Sequence, residues 1–281
     1  MKYSSRVALF VSRYLPRGYS HLLRYAAKKD SELRDILLPL RLISGRKIRA
    51  DLSETVFIPI FRSGCFVHEI GENLLCMRLL REGDLVFDIG ANIGYTAIIF
   101  SHIVGQSGKV IALEPSPRAY NLLARSVEGD ANIISLNVAI SERNGEVQFN
   151  EMETLDTSSI EPTEGGKTYA VMATTLDKLS EIYGIPNFVK IDVEGHEPKV
   201  FRGMNDILSS NSPPAILFEA LNRIALKDCV AEINTARNKY KIFRVKSETG
   251  ILSDDLDLEG TNNYLALPVA DLDRFQNLFP R

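Results

Sequence analysis

The 281-residue chain has no apolar run near the roughly eighteen residues needed to cross a bilayer. Its longest early run, Val7-Ala-Leu-Phe-Val11, is too short for a signal-peptide core and is interrupted at Arg13. Cysteine is scarce. Cys65, Cys76 and Cys229 are odd in number and lack metal-ligand spacing, which argues against a disulfide framework and a zinc site. Reduced thiols in a cytoplasmic protein are the expectation. An aromatic-rich single-strand platform and a recognition-helix pattern are also missing, so nucleic acid is not the expected substrate. This holds although residues 1–50 carry twelve Lys/Arg against three Asp/Glu. Those bases either solvate helix faces or give weak contact with an anionic membrane surface. What remains, 45% hydrophobic and 25% charged residues, is ordinary globular composition.

A missing glycine is the more informative absence. Leu85-Val-Phe-Asp88 is an apolar strand ending in an acid, followed by Gly90-x-x-x-Gly94 with Asn92 between the glycines. Dinucleotide sites use G-x-G-x-x-G, in which each glycine lets backbone approach a pyrophosphate. With one absent, a pyrophosphate cradle is the weaker reading, and a smaller zwitterionic cofactor fits better. A second strand, Lys109-Val-Ile-Ala-Leu-Glu114, ends in an acid suited to a ribose diol, since a carboxylate accepts from both hydroxyls. S-adenosylmethionine has the ribose, the adenine and the amino-acid end that such a site would hold. Gly90 and Gly94 also admit a plainer reading, a tight strand-to-helix turn.

From Asp84 onward strands and helices alternate, the mark of a parallel sheet covered on both faces. Further strands are expected at Asn132–Asn137, Phe188–Asp192, Ala215–Glu219, Lys241–Val245 and Asn263–Leu267, with the last two antiparallel. Helices are expected from Tyr95, over Pro117–Val127, from Thr175 and over Ala225–Lys239. Asn144-Gly145 reads as a hairpin turn, and Glu151–Thr168 as a flexible loop near the site. Four strands then end in Asp88, Glu114, Asp192 and Glu219, along the sheet edge where open α/β sheets bind ligands. The expected fold is therefore α/β: a Rossmann-like, doubly wound, seven-stranded and mostly parallel sheet with an antiparallel C-terminal pair. Residues 1–80 are expected to form a helical arm and lid, helical from Arg6 to about Leu42 with breaks at Pro16-Arg-Gly18 and Pro39, with strands at Thr55–Pro59 and Cys65–Val67 and a helix over Gly71–Leu80. Residues 81–281 are expected to form the catalytic domain.

Four segments together, Asp88-Ile-Gly-Ala-Asn-Ile-Gly94, Leu113-Glu-Pro-Ser-Pro117, Thr174-Thr-Leu-Asp177 and Phe188-Val-Lys-Ile-Asp-Val-Glu-Gly-His-Glu197, resemble the FkbM-type S-adenosylmethionine-dependent methyltransferases. The likeness runs from about Phe61 to Pro268, and its last block is the most specific part. Arg125–Asn132 departs from the pattern, being shorter and more acidic than the usual Asn-rich form. The resemblance implies methyl transfer to a hydroxyl on a sugar, glycan or secondary metabolite. It assigns Asp88, Gly90, Asn92 and Gly94 to the methionine end of the cofactor and Glu114 to the ribose. Asn137, Val138 and Ala139 would lie against the adenine.

For the proton, His196 is the candidate base because it follows Asp192 on the loop after the fourth core strand. His68 is an alternative if the lid folds over. Asp192 either orients the acceptor beside the cofactor or joins Glu219 on a divalent cation, although that spacing is not diagnostic and no metal is predicted. Glu194 and Glu197 suit a helix start, and Tyr95 and Phe66 are candidate pocket walls. Two other readings stay open: a scaffold protein without turnover, and a nicotinamide-dependent oxidoreductase. The missing glycine and the lack of a Tyr-x-x-x-Lys pair in the core region after Asp84 count against the second.

Overall fold

In a computed structural model, residues 3–14, 18–152, 160, 166–256 and 262–278 are described. The centre is a sheet built from β3 (Leu85–Ile89), β4 (Lys109–Leu113), β5 (Ile133–Leu136), β9 (Phe188–Ile191), β10 (Ala215–Glu219), β11 (Tyr240–Val245), β12 (Leu252–Ser253) and β13 (Asn263–Pro268). Their order is β12-β11-β13-β10-β9-β3-β4-β5. Strands β10, β9, β3, β4 and β5 pair in parallel, whereas β13 pairs antiparallel with both β10 and β11. The expected seven strands are all present, and the two-residue β12 makes an eighth.

Alternation along each strand feeds two cores. Val86, Val110, Phe188 and Leu217 face α4 (Ile70–Leu79), α5 (Tyr95–Val104) and α6 (Pro117–Ser126). Phe87, Ile89, Val189, Ile191 and Phe218 face α7 (Leu176–Tyr183), α8 (Glu197–Arg202), α9 (Asn205–Leu208) and α10 (Arg223–Ile233). Each such side chain, fully buried, contributes about 1.5–3 kcal/mol of transfer free energy. Chain order reverses between β3 and β9, so a crevice opens beyond their carboxyl ends.

The first eighty residues pack on the α4–α6 side and contribute Leu23, Ile48, Phe57 and Ile60 to the same core. Helices α1 (Tyr3–Tyr14) and α2 (Tyr19–Lys29) come first. The helical pattern expected between the breaks at Pro16–Gly18 and Pro39 stops early, at Lys29, because Asp30 accepts from the Glu32 N–H and starts a 3₁₀ turn. The chain then forms an antiparallel pair, β1 (Ile36–Pro39) with β2 (Lys47–Ala50). The strand expected at 55–59 is instead helix α3 (Phe57–Ser63). Phe57, Ile58, Ile60 and Phe61 are all buried in it, and so many buried apolar neighbours in succession leave no clear period to read. Phe66 is extended but unpaired, and a 3₁₀ turn follows over Val67–Glu69.

Two later expectations also change. Asn144-Gly145 does not close a hairpin: β6 (Ala139–Ile140) and β7 (Gly145–Glu151) both pair with β8 (Lys167–Thr174), which lies between them. Asn144 instead accepts from the Thr174 hydroxyl at 2.9 Å. Helix α10 starts at Arg223, capped by Asn222, and ends at Ile233 rather than Lys239. Most of the loop expected over 151–168, namely 153–159 and 161–165, lies outside the described residues. No described helix is long and apolar enough to cross a membrane.

Candidate active site

A cavity of about 450 Å³ opens at the β3/β9 switch point. Gly90, just past β3, has φ +80°, and a Cβ there would sit 1.8 Å from the Asp192 carbonyl oxygen. Only a residue without a side chain lets the loops after β3 and β9 approach so closely. Asn92 next takes a left-handed φ of +48°. Its N–H donates to Glu114 Oε2 at 2.8 Å, while the Ser116 N–H donates to Oε1 at 2.9 Å. Glu114, at the end of β4, is thereby fixed with its remaining lone pairs available along the cavity wall it forms. Burial pushes its pKa up to about 7, against the pull of those two N–H groups.

Asp88 is fully buried behind the lining. Oδ2 accepts from the Thr96 hydroxyl at 2.8 Å, and Oδ1 has no hydrogen-bond partner among the described residues. Its register partner in β9 is Lys190, whose Nζ donates to Asp192 Oδ2 at 2.6 Å. Burial works against this ammonium, but Asp192, Asp88, Glu69 and Glu72 around it raise its pKa overall. Burial also lifts Asp88 to about 6 despite Lys190 and Thr96.

The opposite wall comes from the segment before β3 and from the antiparallel strands. Glu72 on α4 is 7% exposed, and Asn263 Nδ2 donates to its Oε1 at 2.6 Å. Glu69 Oε2 has no hydrogen-bond partner among the described residues. Burial raises Glu69 to about 8, and Glu72 and Glu219 each to about 7. Phe66 and Tyr95 pack edge to face at 4.8 Å in the lining, with His68 against Phe66 at 5.7 Å.

Of the residues singled out in the sequence, Phe66, His68, Gly90, Asn92, Tyr95, Glu114, Val138, Asp192, Glu194 and Glu219 line this cavity together. Others do not reach it. Gly94 faces α6, where a Cβ would meet Leu123 Cδ1 at 2.7 Å. Asn137 Nδ2 donates to the Glu114 and Pro115 carbonyls, holding the end of β4, and Ala139 is buried within β6. His196 is 1% exposed, with Nε2 3.0 Å from Ser141 Oγ, away from the lining. Its loop is turned by Glu197, whose Oε1 accepts the Val193 and Gly195 N–H groups, with Glu194 at φ +53°. His68 does reach the cavity, at an exposed position.

Reading the sequence missed Glu69, Glu72, Lys190 and Asn263. A lysine inside the otherwise apolar Phe188–Ile191 run was the available signal, since a buried ammonium needs carboxylates around it. Asp192, Glu194 and Glu219 offer carboxylate oxygens within 4.8 Å of one another. No described arginine lines the cavity.

A family model described as "Methyltransferase FkbM domain" matches residues 88–242, more than half of the chain. The hexuronic acid methyltransferase AglP of Haloferax volcanii is 31% identical over 140 residues, 48% of this chain and 56% of that protein. Protein-L-isoaspartate O-methyltransferase 2 of Archaeoglobus fulgidus is 49% identical over 45 residues, 16% of this chain and 20% of that one. The chain thus matches little more than half the length of the first relative and a fifth of the second. A solved S-adenosylmethionine-dependent O-methyltransferase from Thermotoga maritima resembles it loosely, with TM-score 0.43 and 12% identity over 83% of this chain and 84% of that one. The matched residues 88–242 include the turn at Gly90, the Glu114 strand end and the Lys190–Asp192 pair, and the chain belongs to the FkbM methyltransferase family.

Proposed function

We propose that this chain transfers a methyl group from S-adenosylmethionine to a hydroxyl oxygen of a small-molecule or glycan acceptor. The observation that carries the reading is Glu114. Two backbone N–H groups fix it at the cavity wall, one of them from the glycine turn itself, which suits a ribose diol. The rest of the donor set fits as well. Asn92 would hold the amino-acid end with the Asp88 charge behind it, Val138 supplies an apolar wall for the adenine, and the excess of carboxylates suits a cofactor with a sulfonium and an ammonium. When bound, the cofactor supplies an activated methyl group.

The chain's own residues then have two tasks, to orient the acceptor oxygen and to take its proton. Asp192 is assigned to both. It lies in the lining, and Lys190 holds Oδ2, which leaves Oδ1 for the hydroxyl. Phe66 and Tyr95 limit water on the acceptor side. His196 has no assigned role in proton transfer, given its place behind the loop.

Calorimetric titration with S-adenosylhomocysteine, and with NAD in parallel, tests the reading. Micromolar binding of the first alone is expected, weakened roughly tenfold or more in Asp88→Ala, as loss of the negative charge behind the cofactor's ammonium predicts. Binding of NAD, or an unaffected Asp88→Ala variant, overturns it.

A further inference from the structure

We infer that the outer face of the α1–α2 pair is a docking surface for an anionic lipid leaflet. Charge along the sequence is segregated toward it. Residues 1–29 contain seven Lys/Arg and no Asp/Glu, in a chain whose net charge is −3. The first acid, Asp30, is buried and serves as the cap of the 3₁₀ turn that follows α2. Positive charge concentrated on one element of an acidic chain gives that element its own attraction for anions.

Helical spacing gathers the exposed side chains on one face of each helix. On α1, Arg6 and Phe10 are four apart and Val7 and Phe10 three apart, so they are neighbours on the helix surface. All three face solvent, Phe10 being 65% and Val7 43% exposed. Ala8 and Ser12, on the opposite side of the helix, are buried. On α2, His21, Tyr25, Lys28 and Lys29 form the corresponding exposed stripe, with Tyr25 58% exposed. Lys29 donates to the Tyr25 hydroxyl, and its Nζ lies 4.2 Å from the centre of that ring. Leu23, Ala26 and Ala27 point the other way, into the core that also takes Ala8. Two hydrogen bonds tie α2 to the body of the protein. Arg24 Nε donates to the Ser53 carbonyl at 3.3 Å, and Arg34 Nε donates to the Ala27 carbonyl at 3.0 Å. A fixed element thus turns a face of mixed basic and apolar side chains to the outside.

The mixture selects the partner. A polyphosphate backbone would neutralise Arg6, Lys28 and Lys29 but leave Val7 and Phe10 in water. An anionic leaflet takes both kinds of group. Its phosphates meet the bases, while Val7, Phe10 and the Tyr25 ring enter the boundary between headgroups and acyl chains. Tyrosine suits that depth, because its ring is apolar and its hydroxyl stays wet. The helices would lie in the plane of the leaflet, since no described helix is long and apolar enough to cross it. None of these residues lines the cavity, so docking does not compete with the cofactor site.

Flotation of the full chain with lipid vesicles tests the inference. One set of vesicles is phosphatidylcholine alone, and the other is an equimolar mixture with phosphatidylglycerol. The chain is expected to float with the anionic vesicles and to stay behind with the neutral ones. Raising salt from about 0.1 M to about 1 M shortens the Debye length from about 10 Å to about 3 Å and should weaken the binding. Two double variants separate the contributions, Val7→Ser with Phe10→Ser and Arg6→Glu with Lys28→Glu. Each should lower partitioning roughly tenfold or more. All four positions are exposed, so the melting temperature of either variant should match the parent's. Failure to float with anionic vesicles overturns the inference, as does equal flotation with both sets or flotation that neither variant reduces. Tighter binding to a DNA duplex than to anionic vesicles overturns it by making nucleic acid the partner. A dimer in gel filtration that Val7→Ser with Phe10→Ser dissociates also overturns it, by making the face a contact between two copies of the chain.

Discussion

Replacing Gly90 with alanine separates two costs that glycine avoids. The first is conformational, because φ is +80°, and an L side chain in the left-handed region costs about 1–2 kcal/mol. The second is steric. The added methyl would lie 1.8 Å from the Asp192 carbonyl oxygen, a backbone atom that cannot swing aside. Moving the two loops apart is overpacking, worth a further ~2 kcal/mol. The sum predicts a melting temperature lower by roughly 10 °C, taking roughly 3 °C per kcal/mol for a chain of this size. Because the displaced loops carry Asn92 and Asp192, S-adenosylhomocysteine affinity should fall roughly tenfold or more, a loss of about 1.4 kcal/mol. Two further glycines calibrate the experiment. Gly129 has φ +91° and nothing within 4 Å of where a Cβ would stand, so Gly129→Ala should show the conformational cost alone and unchanged affinity. Gly94→Ala meets the mobile end of Leu123 at 2.7 Å and should fall between them in stability, with little change in affinity. Thermal unfolding and calorimetry on the three variants decide the matter. If Gly90→Ala loses no more stability than Gly129→Ala and binds within twofold of the parent, the close approach of the loops is not what shapes the site.

Acid–base behaviour gives a second expectation. Glu69, Glu72 and Glu114 have pKa values raised from 4.5 to about 8, 7 and 7 in the folded chain, chiefly by burial. Over that interval the folded state binds more protons than the unfolded one, so stability without ligand should fall as pH rises from about 5 to 8. Denaturant unfolding across that range checks the sign, and a rise would contradict it. Lys190→Met should cost about 3–5 kcal/mol, because it leaves Asp192 and its buried neighbours uncompensated. The loss should be smaller at pH 5, where those acids can take up protons, and equal losses at pH 5 and pH 8 would refute this account. His196→Ala removes the partner of Ser141 Oγ, so about 1 kcal/mol of stability should go. Its pH–rate profile should keep its shape, and a lost limb would instead make His196 the base.

The sheet and its acidic edge were legible because strand periodicity and strand-end acids are local signals. Each of the seven long strands lies within about two residues of its expected place. The early segment was harder. Thr55–Pro59 reads equally as strand or helix when Val56, Phe57 and Ile58 are buried in succession, and only the tertiary environment makes it α3. His196 shows a different limit. Its position on the loop after β9 was readable, but its direction depends on how Glu197 gathers the loop N–H groups, and no spacing encodes that. Glu69 and Glu72 were passed over because an acid on a helix is normally solvated, whereas here the helix is enclosed by the antiparallel strands.

That enclosure sets an order of events during synthesis. The Gly71 N–H donates to the Ser247 carbonyl at 2.7 Å, Gly250 packs against the Gly71 carbonyl, and Glu72 meets Asn263 across 191 positions of sequence. A nascent chain that has emerged as far as Ile191 already holds β3, β4, β5 and β9, and with them Glu114 and the glycine turn. It still lacks the Ser247, Gly250 and Asn263 contacts that fasten α4 over the crevice. Closing contacts of such long sequence separation is slow, so the Glu114 side of the cavity should take shape before the Glu72–Asn263 side. The wall formed by Glu72 and Asn263 is then the last to close, set in place by strands made after the glycine turn is complete.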